Sequence, residues 1–216
     1  MNWLFCDLDG TLADSIPAMR AVFASFLGER GIAATSEYFD ALNGKSLDEI
    51  IASIQSRHAL DELPSAMRAR YEALIEDAYA RQVVAAPGAA ALLDAAAGAG
   101  WRSMVVTSGN RGPAERFLAA QGWSARLSGA VFGDEVAAAK PAPDLYQLAI
   151  ARSGAEPGRV VVIEDSPAGV KAAKAAGLFA VGVVAACPAA LLTAAGADAT
   201  LDGLVDAFDR IARMPR

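Results

Sequence analysis

The sequence predicts an α/β protein, a largely parallel sheet flanked by helices, with a helical segment inserted after the first strand. Three observations lead there. Apolar runs at residues 3–8, 103–107, 130–132, 160–163 and 179–184 have the length and continuity of strands buried on both faces. Most are separated by stretches with helical apolar spacing, the β-α-β alternation that builds a parallel sheet. Nearly a hundred residues lie between the first and second runs, against the ~30 of a complete βαβ unit.

Each element follows from its residues. In the insertion, Met19, Val22, Phe23, Phe26 and Leu27 fall on one helical face, then Leu47, Ile50, Ile51 and Ile54, then Met67, Tyr71, Leu74, Ile75 and Tyr79. These predict a small helical bundle. Its hinges fall at residues 14–17 and 83–88, where Pro87 and Gly88 break the pattern. The expected division is a core of residues 1–14 and 85–216, with a helical unit of residues 15–84. In the core, Ser166 reads as an N-cap, Pro167 as a first helical residue, and Gly177 as the stop after residues 168–176. Residues 175–197 carry no charge, yet Gly177, Gly182, Pro188, Thr193 and Gly196 interrupt them. They read as a short strand and a short helix, not a membrane span.

Composition narrows the chemistry. Lys and Arg number 19 against 25 Asp and Glu, a net charge of −6. Such a chain lacks the basic face that nucleic acid requires. Cys6 and Cys187 are far apart and outside any CxxC spacing, so neither a disulfide framework nor a thiolate metal site is expected. With no basic, apolar leader at Met1, Asn2 and Trp3, the expected setting is the reducing cytoplasm. His58 is the single histidine, which disfavours His-dependent triads and His-rich zinc sites. It reads as a residue of the helical unit's surface or packing, and Cys6 as core. Carboxylates, hydroxyls and lysine must carry the chemistry.

Several of them stand at predicted strand ends, the edge of an open α/β sheet that binds ligands. Asp7 and Asp9 stand in Phe5-Cys6-Asp7-Leu8-Asp9-Gly10-Thr11. Thr107, Ser108, Gly109 and Asn110 follow the second run, Lys140 stands before Pro141, and Glu164 and Asp165 close the fourth run. In this order the four motifs resemble the signature of the haloacid dehalogenase superfamily of phosphohydrolases, and the resemblance spans essentially the whole chain. It implies a Rossmann-like core with an inserted α-helical cap domain.

The resemblance also implies roles, each with a physical reason. Asp7 would attack phosphorus and form an aspartyl-phosphate. Asp9 would protonate the leaving oxygen and later take a proton from water. Four carboxylates converging on one crevice need a hard cation, so Mg²⁺ is expected, held by Asp7, the Asp9 carbonyl and Asp165, with Glu164 direct or through water. Lys140 would balance Asp7 and the phosphoryl charge, and Thr107 would donate to a phosphoryl oxygen. Ser108, Asn110, Gly44 and Lys45 are the expected substrate contacts. Plainer readings stand beside these: Thr107 capping its own loop, Lys140 and Arg111 as solvated cations, Ser46 as a helix cap.

The implied activity is Mg²⁺-dependent hydrolysis of a small phosphorylated metabolite, without nucleic acid or membrane, by a monomer or dimer. The alternative is a phosphosugar mutase of the beta-phosphoglucomutase type, disfavoured by Met19 and Leu47 where that branch carries a histidine and an arginine. Asp9 argues against a dehalogenase and against Schiff-base phosphonate hydrolysis. The helical insertion argues against a non-enzymatic phosphoacceptor module.

Overall fold

The computed structural model describes residues 1–42, 45–185 and 187–214. In chain order the elements are β1 (Trp3–Cys6), β2 (Ala13–Asp14), α1 (Ile16–Gly28), α2 (Ser36–Leu42), α3 (Leu47–His58), α4 (Pro64–Arg81), β3 (Val84–Ala85), α5 (Ala89–Gly98), β4 (Arg102–Val106) and α6 (Arg111–Ala120). There follow β5 (Ala130–Val131), α7 (Asp144–Ser153), β6 (Val160–Glu164), α8 (Pro167–Ala175), β7 (Phe179–Val183), α9 (Ala189–Ala194), β8 (Ala199–Leu201) and α10 (Ala207–Ala212). The main sheet runs β5-β4-β1-β6-β7-β8 with every pair parallel.

All five predicted strands are present, and the sheet gains a sixth, β8, which three residues with no sustained apolar run did not signal. Alternation along β1 fills both faces: Leu4 and Cys6 join one buried cluster, Trp3 and Phe5 the other. The predicted first strand is too long: β1 ends at Cys6, one further bond to β6 comes from the Asp7 N–H, and residues 8–13 fold back into a turn. β7 and α9 are the short strand and short helix expected within residues 175–197, and no helix among the described residues is long and apolar enough to cross a membrane.

The insertion comprises α1 to α4, with Phe23, Phe26, Ile51, Ile54, Met67 and Tyr71 buried between them. The sequence pattern missed the short α2, whose Tyr38 and Phe39 set their rings edge-on to Phe23. At the expected hinges the chain forms an antiparallel ribbon, with Ala13 paired to Ala85 and Asp14 to Val84. Ser46 is a cap: its hydroxyl and the Glu49 carboxylate make a reciprocal capping box at the start of α3. His58 is half-buried against Tyr38, in the packing expected of it, and among the described residues its Nε2 has no hydrogen-bond partner.

Candidate active site

β1 lies at the centre of the sheet, with the chain continuing to β4 on one side and β6 on the other. The crevice beyond the carboxyl ends of these strands is the natural binding place of an open α/β sheet. Asp7 follows β1 directly, and its N–H still donates to Ile163 of β6 at 2.9 Å. Thr107 follows β4, Glu164 ends β6 and Asp165 follows it. Gly10 makes the turn with φ +82°, and a Cβ there would fall 2.1 Å from an Asp165 carboxylate oxygen. Only glycine provides both that conformation and room for Asp165.

Lys140, far from a solvated surface cation, is buried at the centre. Its Nζ donates to Asp7 Oδ1 at 2.6 Å and to the Val106 carbonyl at 2.8 Å, and pairs with Glu164 Oε1 at 2.5 Å. Burial alone would lower its pKa; Asp7 and Glu164 outweigh that and raise it, so the ammonium stays charged. Glu164 is fully enclosed, accepts from Tyr146 Oη at 2.6 Å and from Ser166 Oγ at 3.3 Å, and has a pKa pushed up to about 7, chiefly by burial. Asp165 is raised well above the carboxylate range by burial, then by Asp7 and Glu164.

Asp9 is half-buried as a residue, but its carboxyl is enclosed, and that enclosure raises its pKa, with Asp7 adding to the rise. The carboxyl accepts from the Tyr79 hydroxyl of α4. Ser15 lies close enough to lower the pKa of both groups, and among the described residues its buried hydroxyl has no hydrogen-bond partner. Thr107 Oγ1 accepts from the Gly109 N–H at 2.9 Å, the plainer loop-capping role, and keeps its own proton to donate. Ser108 Oγ is buried and unpartnered among the described residues.

One ligand oxygen from each of Asp7, Glu164 and Asp165 lies within 4.8 Å of the others. Among the described residues the Asp9 carbonyl accepts no hydrogen bond. Three carboxylates against one ammonium, with a free carbonyl beside them, form an all-oxygen, electron-rich set suited to a hard divalent cation.

The structure thus brings Asp7, Asp9, Thr107, Lys140, Glu164 and Asp165 together beyond the strand ends, while Ser108, next along the chain, has its backbone against Gly133. Asn110 does not cap α6; its Nδ2 donates to Glu72 of α4 at 3.0 Å. Lys45 is exposed and its charge acts on Glu49; among the described residues its side chain makes no hydrogen bond or ion pair with the crevice. Gly44 lies outside the described residues. Arg111 is no free loop cation: it begins α6, pairs with Glu115 and Glu135, and lies over Phe132. Sequence reasoning did not single out Tyr146 or Glu72, and it placed Tyr79 only on an apolar helix face.

The chain belongs to the haloacid dehalogenase-like hydrolase family, whose model matches residues 4–183. It is 32% identical to the validoxylamine A 7'-phosphate phosphatase of Streptomyces hygroscopicus subsp. limoneus, over 93% of this chain and 92% of that one. It is also 32% identical to the fructose-1-phosphate phosphatase of Escherichia coli, over 83% of this chain and 95% of that one. The crystal structure of CbbY from Rhodobacter sphaeroides in complex with phosphate superposes with a TM-score of 0.81 at 28% identity, covering 95% of this chain and 96% of that chain.

Proposed function

We propose that this protein hydrolyses phosphomonoesters of small metabolites through an aspartyl-phosphate on Asp7. One observation carries the reading: the tips of β1, β4 and β6 bring Asp7, Thr107 and Asp165 to one crevice, with Lys140 bonded to the Asp7 carboxylate at 2.6 Å. Asp7 forms a bond to phosphorus as the ester oxygen leaves, and Asp9 gives that oxygen its proton. Asp9 then takes a proton from a water whose oxygen attacks phosphorus, releasing phosphate and restoring the Asp7 carboxylate. The raised pKa of Asp9 suits this exchange of acid and base duty. Lys140 and the Thr107 hydroxyl face the phosphoryl oxygens, where charge builds in the transition state. Ser108 and Asn110 border the space left for the substrate.

Mg²⁺ is the cation we assign, with Asp7, Asp165 and the Asp9 carbonyl as its protein ligands and Glu164 beside them. When bound, it offsets the negative charge of carboxylates and phosphate. Residues 15–84 act as a cap over the core of residues 1–14 and 85–216, excluding water once substrate is in place. Two free cysteines, one in the core, fit a reducing cytoplasm.

The test is phosphate release from a panel of phosphorylated metabolites, with Mg²⁺ and with chelator, for the native protein, Asp7→Asn and Asp9→Asn. Metal-dependent release by the native protein and its loss in both variants is the expected result. Sugar-phosphate isomerisation with little free phosphate would instead assign a mutase. Undiminished turnover by Asp7→Asn would overturn the mechanism.

A further inference from the structure

We propose that Glu72 of α4 is a specificity residue: it accepts hydroxyl groups of the leaving group and turns away leaving groups that carry a second negative charge. The inference rests on the phosphatase reading above and adds to it the class of ester preferred, monophosphates of neutral, polyhydroxylated compounds. The geometry begins with the face of α4 that meets the core. Tyr79 reaches Asp9, the group that protonates the departing oxygen. Seven residues earlier, two helical turns and about 10 Å along the axis, Glu72 accepts from Asn110 of the loop after β4. Between them Glu76 pairs with Arg116 of α6 at 3.1 Å, and Tyr79 sets its ring edge-on to Phe117. α4 therefore lies along the loop and helix that follow β4, so a leaving group that starts at Asp9 and follows this face of α4 meets Glu72.

Glu72 is oriented there by two donors on the same oxygen. Asn110 Nδ2 and Arg68 Nε each donate to Oε1 at 3.0 Å. Among the described residues nothing donates to Oε2, and the side chain is 35% exposed. A carboxylate accepts through both oxygens, so pinning one leaves the other as a fixed acceptor for a hydroxyl. The local charge supports the second half of the proposal. Arg68 is shared with Asp48, so this corner holds two carboxylates for one guanidinium. A hydroxyl donor meets an open acceptor there, whereas an incoming carboxylate or second phosphate meets unbalanced negative charge and an acceptor it cannot satisfy. Such a site discriminates more strongly than a shape-matched apolar wall does.

The experiment compares kcat and KM of the native protein, Glu72→Gln and Glu72→Ala on three probes. Sorbitol 6-phosphate has a neutral polyol as leaving group, phosphoglycolate has an anionic one, and p-nitrophenyl phosphate, with neither feature, serves as the reference. Relative to the reference, kcat/KM for sorbitol 6-phosphate should fall about tenfold in Glu72→Ala, the scale of one hydrogen bond to a charged group. The value for phosphoglycolate should rise severalfold in both variants. Glu72→Gln, which keeps an acceptor and loses the charge, should retain most of the polyol preference while losing the discrimination against phosphoglycolate. A lower melting temperature with all three probes falling in parallel would make Glu72 a strut between α4 and α6 and overturn the proposal. Unchanged ratios would do the same. Native protein inactive on every probe would overturn the phosphatase reading itself, an outcome distinct from native turnover without a Glu72 effect.

Discussion

Gly169→Ala is a severe test of how the site is packed. A Cβ at Gly169 would stand 1.9 Å from both Cδ and Oε2 of Glu164 and 2.1 Å from Oε1, where carbon atoms prefer about 3.5–4.0 Å. The carboxylate cannot step aside freely, because it is fully buried and fixed by Lys140 at 2.5 Å and Tyr146 at 2.6 Å. Either α8 is pushed off the sheet or the Lys140–Glu164 pair opens. Breaking a buried pair costs about 3–5 kcal/mol, and replacing glycine by alanine within a helix returns up to about 1 kcal/mol, leaving a loss of about 2–4 kcal/mol. For a chain of this size Tm falls about 2–4 °C per kcal/mol, so thermal unfolding followed by circular dichroism should show a drop of roughly 4–16 °C, with phosphatase activity falling as Lys140 loses its frame. Gly28→Ala is the matched control: nothing lies within 4 Å of its Cβ position, and Tm should hold or rise slightly. If Gly169→Ala melts within a degree or two of the native protein and turns over normally, the enclosure of Glu164 described above is wrong.

Other perturbations reach the same site by different routes. Tyr79→Phe removes a donor that lowers the Asp9 pKa against the upward pull of burial. Turnover should fall about tenfold or more, and the alkaline limb of the kcat/KM profile, where the acid loses its proton, should move to higher pH; an unmoved limb would separate Tyr79 from Asp9. Lys140→Met leaves two buried carboxylates without their cation, and should lower stability by about 3–5 kcal/mol in urea unfolding and abolish phosphate release; a stable, active variant would contradict the central placement of Lys140. Glu164 and Asp165 both have pKa values above their ordinary range, Glu164 near 7 against 4.5. Groups of this kind favour the fold below the unfolded pKa and lose that contribution as pH rises through the folded one. Metal-free protein should therefore melt lower at about pH 7.5 than at about pH 5.5, and Mg²⁺ should raise Tm more at the higher pH; an equal shift at both would refute the linkage.

The sheet was legible because fully buried strands read as unbroken apolar runs, and the helices of the insertion because their apolar residues recur on one face. β8 and α2 escaped for lack of length. Asp7 and Asp9 were legible as carboxylates at a strand end, and Thr107, Lys140, Glu164 and Asp165 because their order along the chain resembles the family's motifs. Tyr79, Tyr146 and Glu72 were not, because what distinguishes them is tertiary. The Tyr79 phenol sits on a helix face that counts as apolar until its hydroxyl is seen on Asp9. Tyr146 is one core aromatic among several until its hydroxyl is found on Glu164. Glu72 is an ordinary helical carboxylate until α4 is laid along the loop after β4. Lys45 shows the converse, a cation in a suggestive stretch whose side chain remains in solvent.

The most direct measurement is the fate of the phosphoryl group within one turnover. Asp9→Asn, impaired in activating water, would be mixed with radiolabelled p-nitrophenyl phosphate, whose leaving group departs without help from an acid, then quenched and mapped by peptide. A hydroxylamine-labile label on Asp7, absent from Asp7→Asn, is the expected result. Label on another residue, or free phosphate produced at the native rate by Asp7→Asn, would contradict the account.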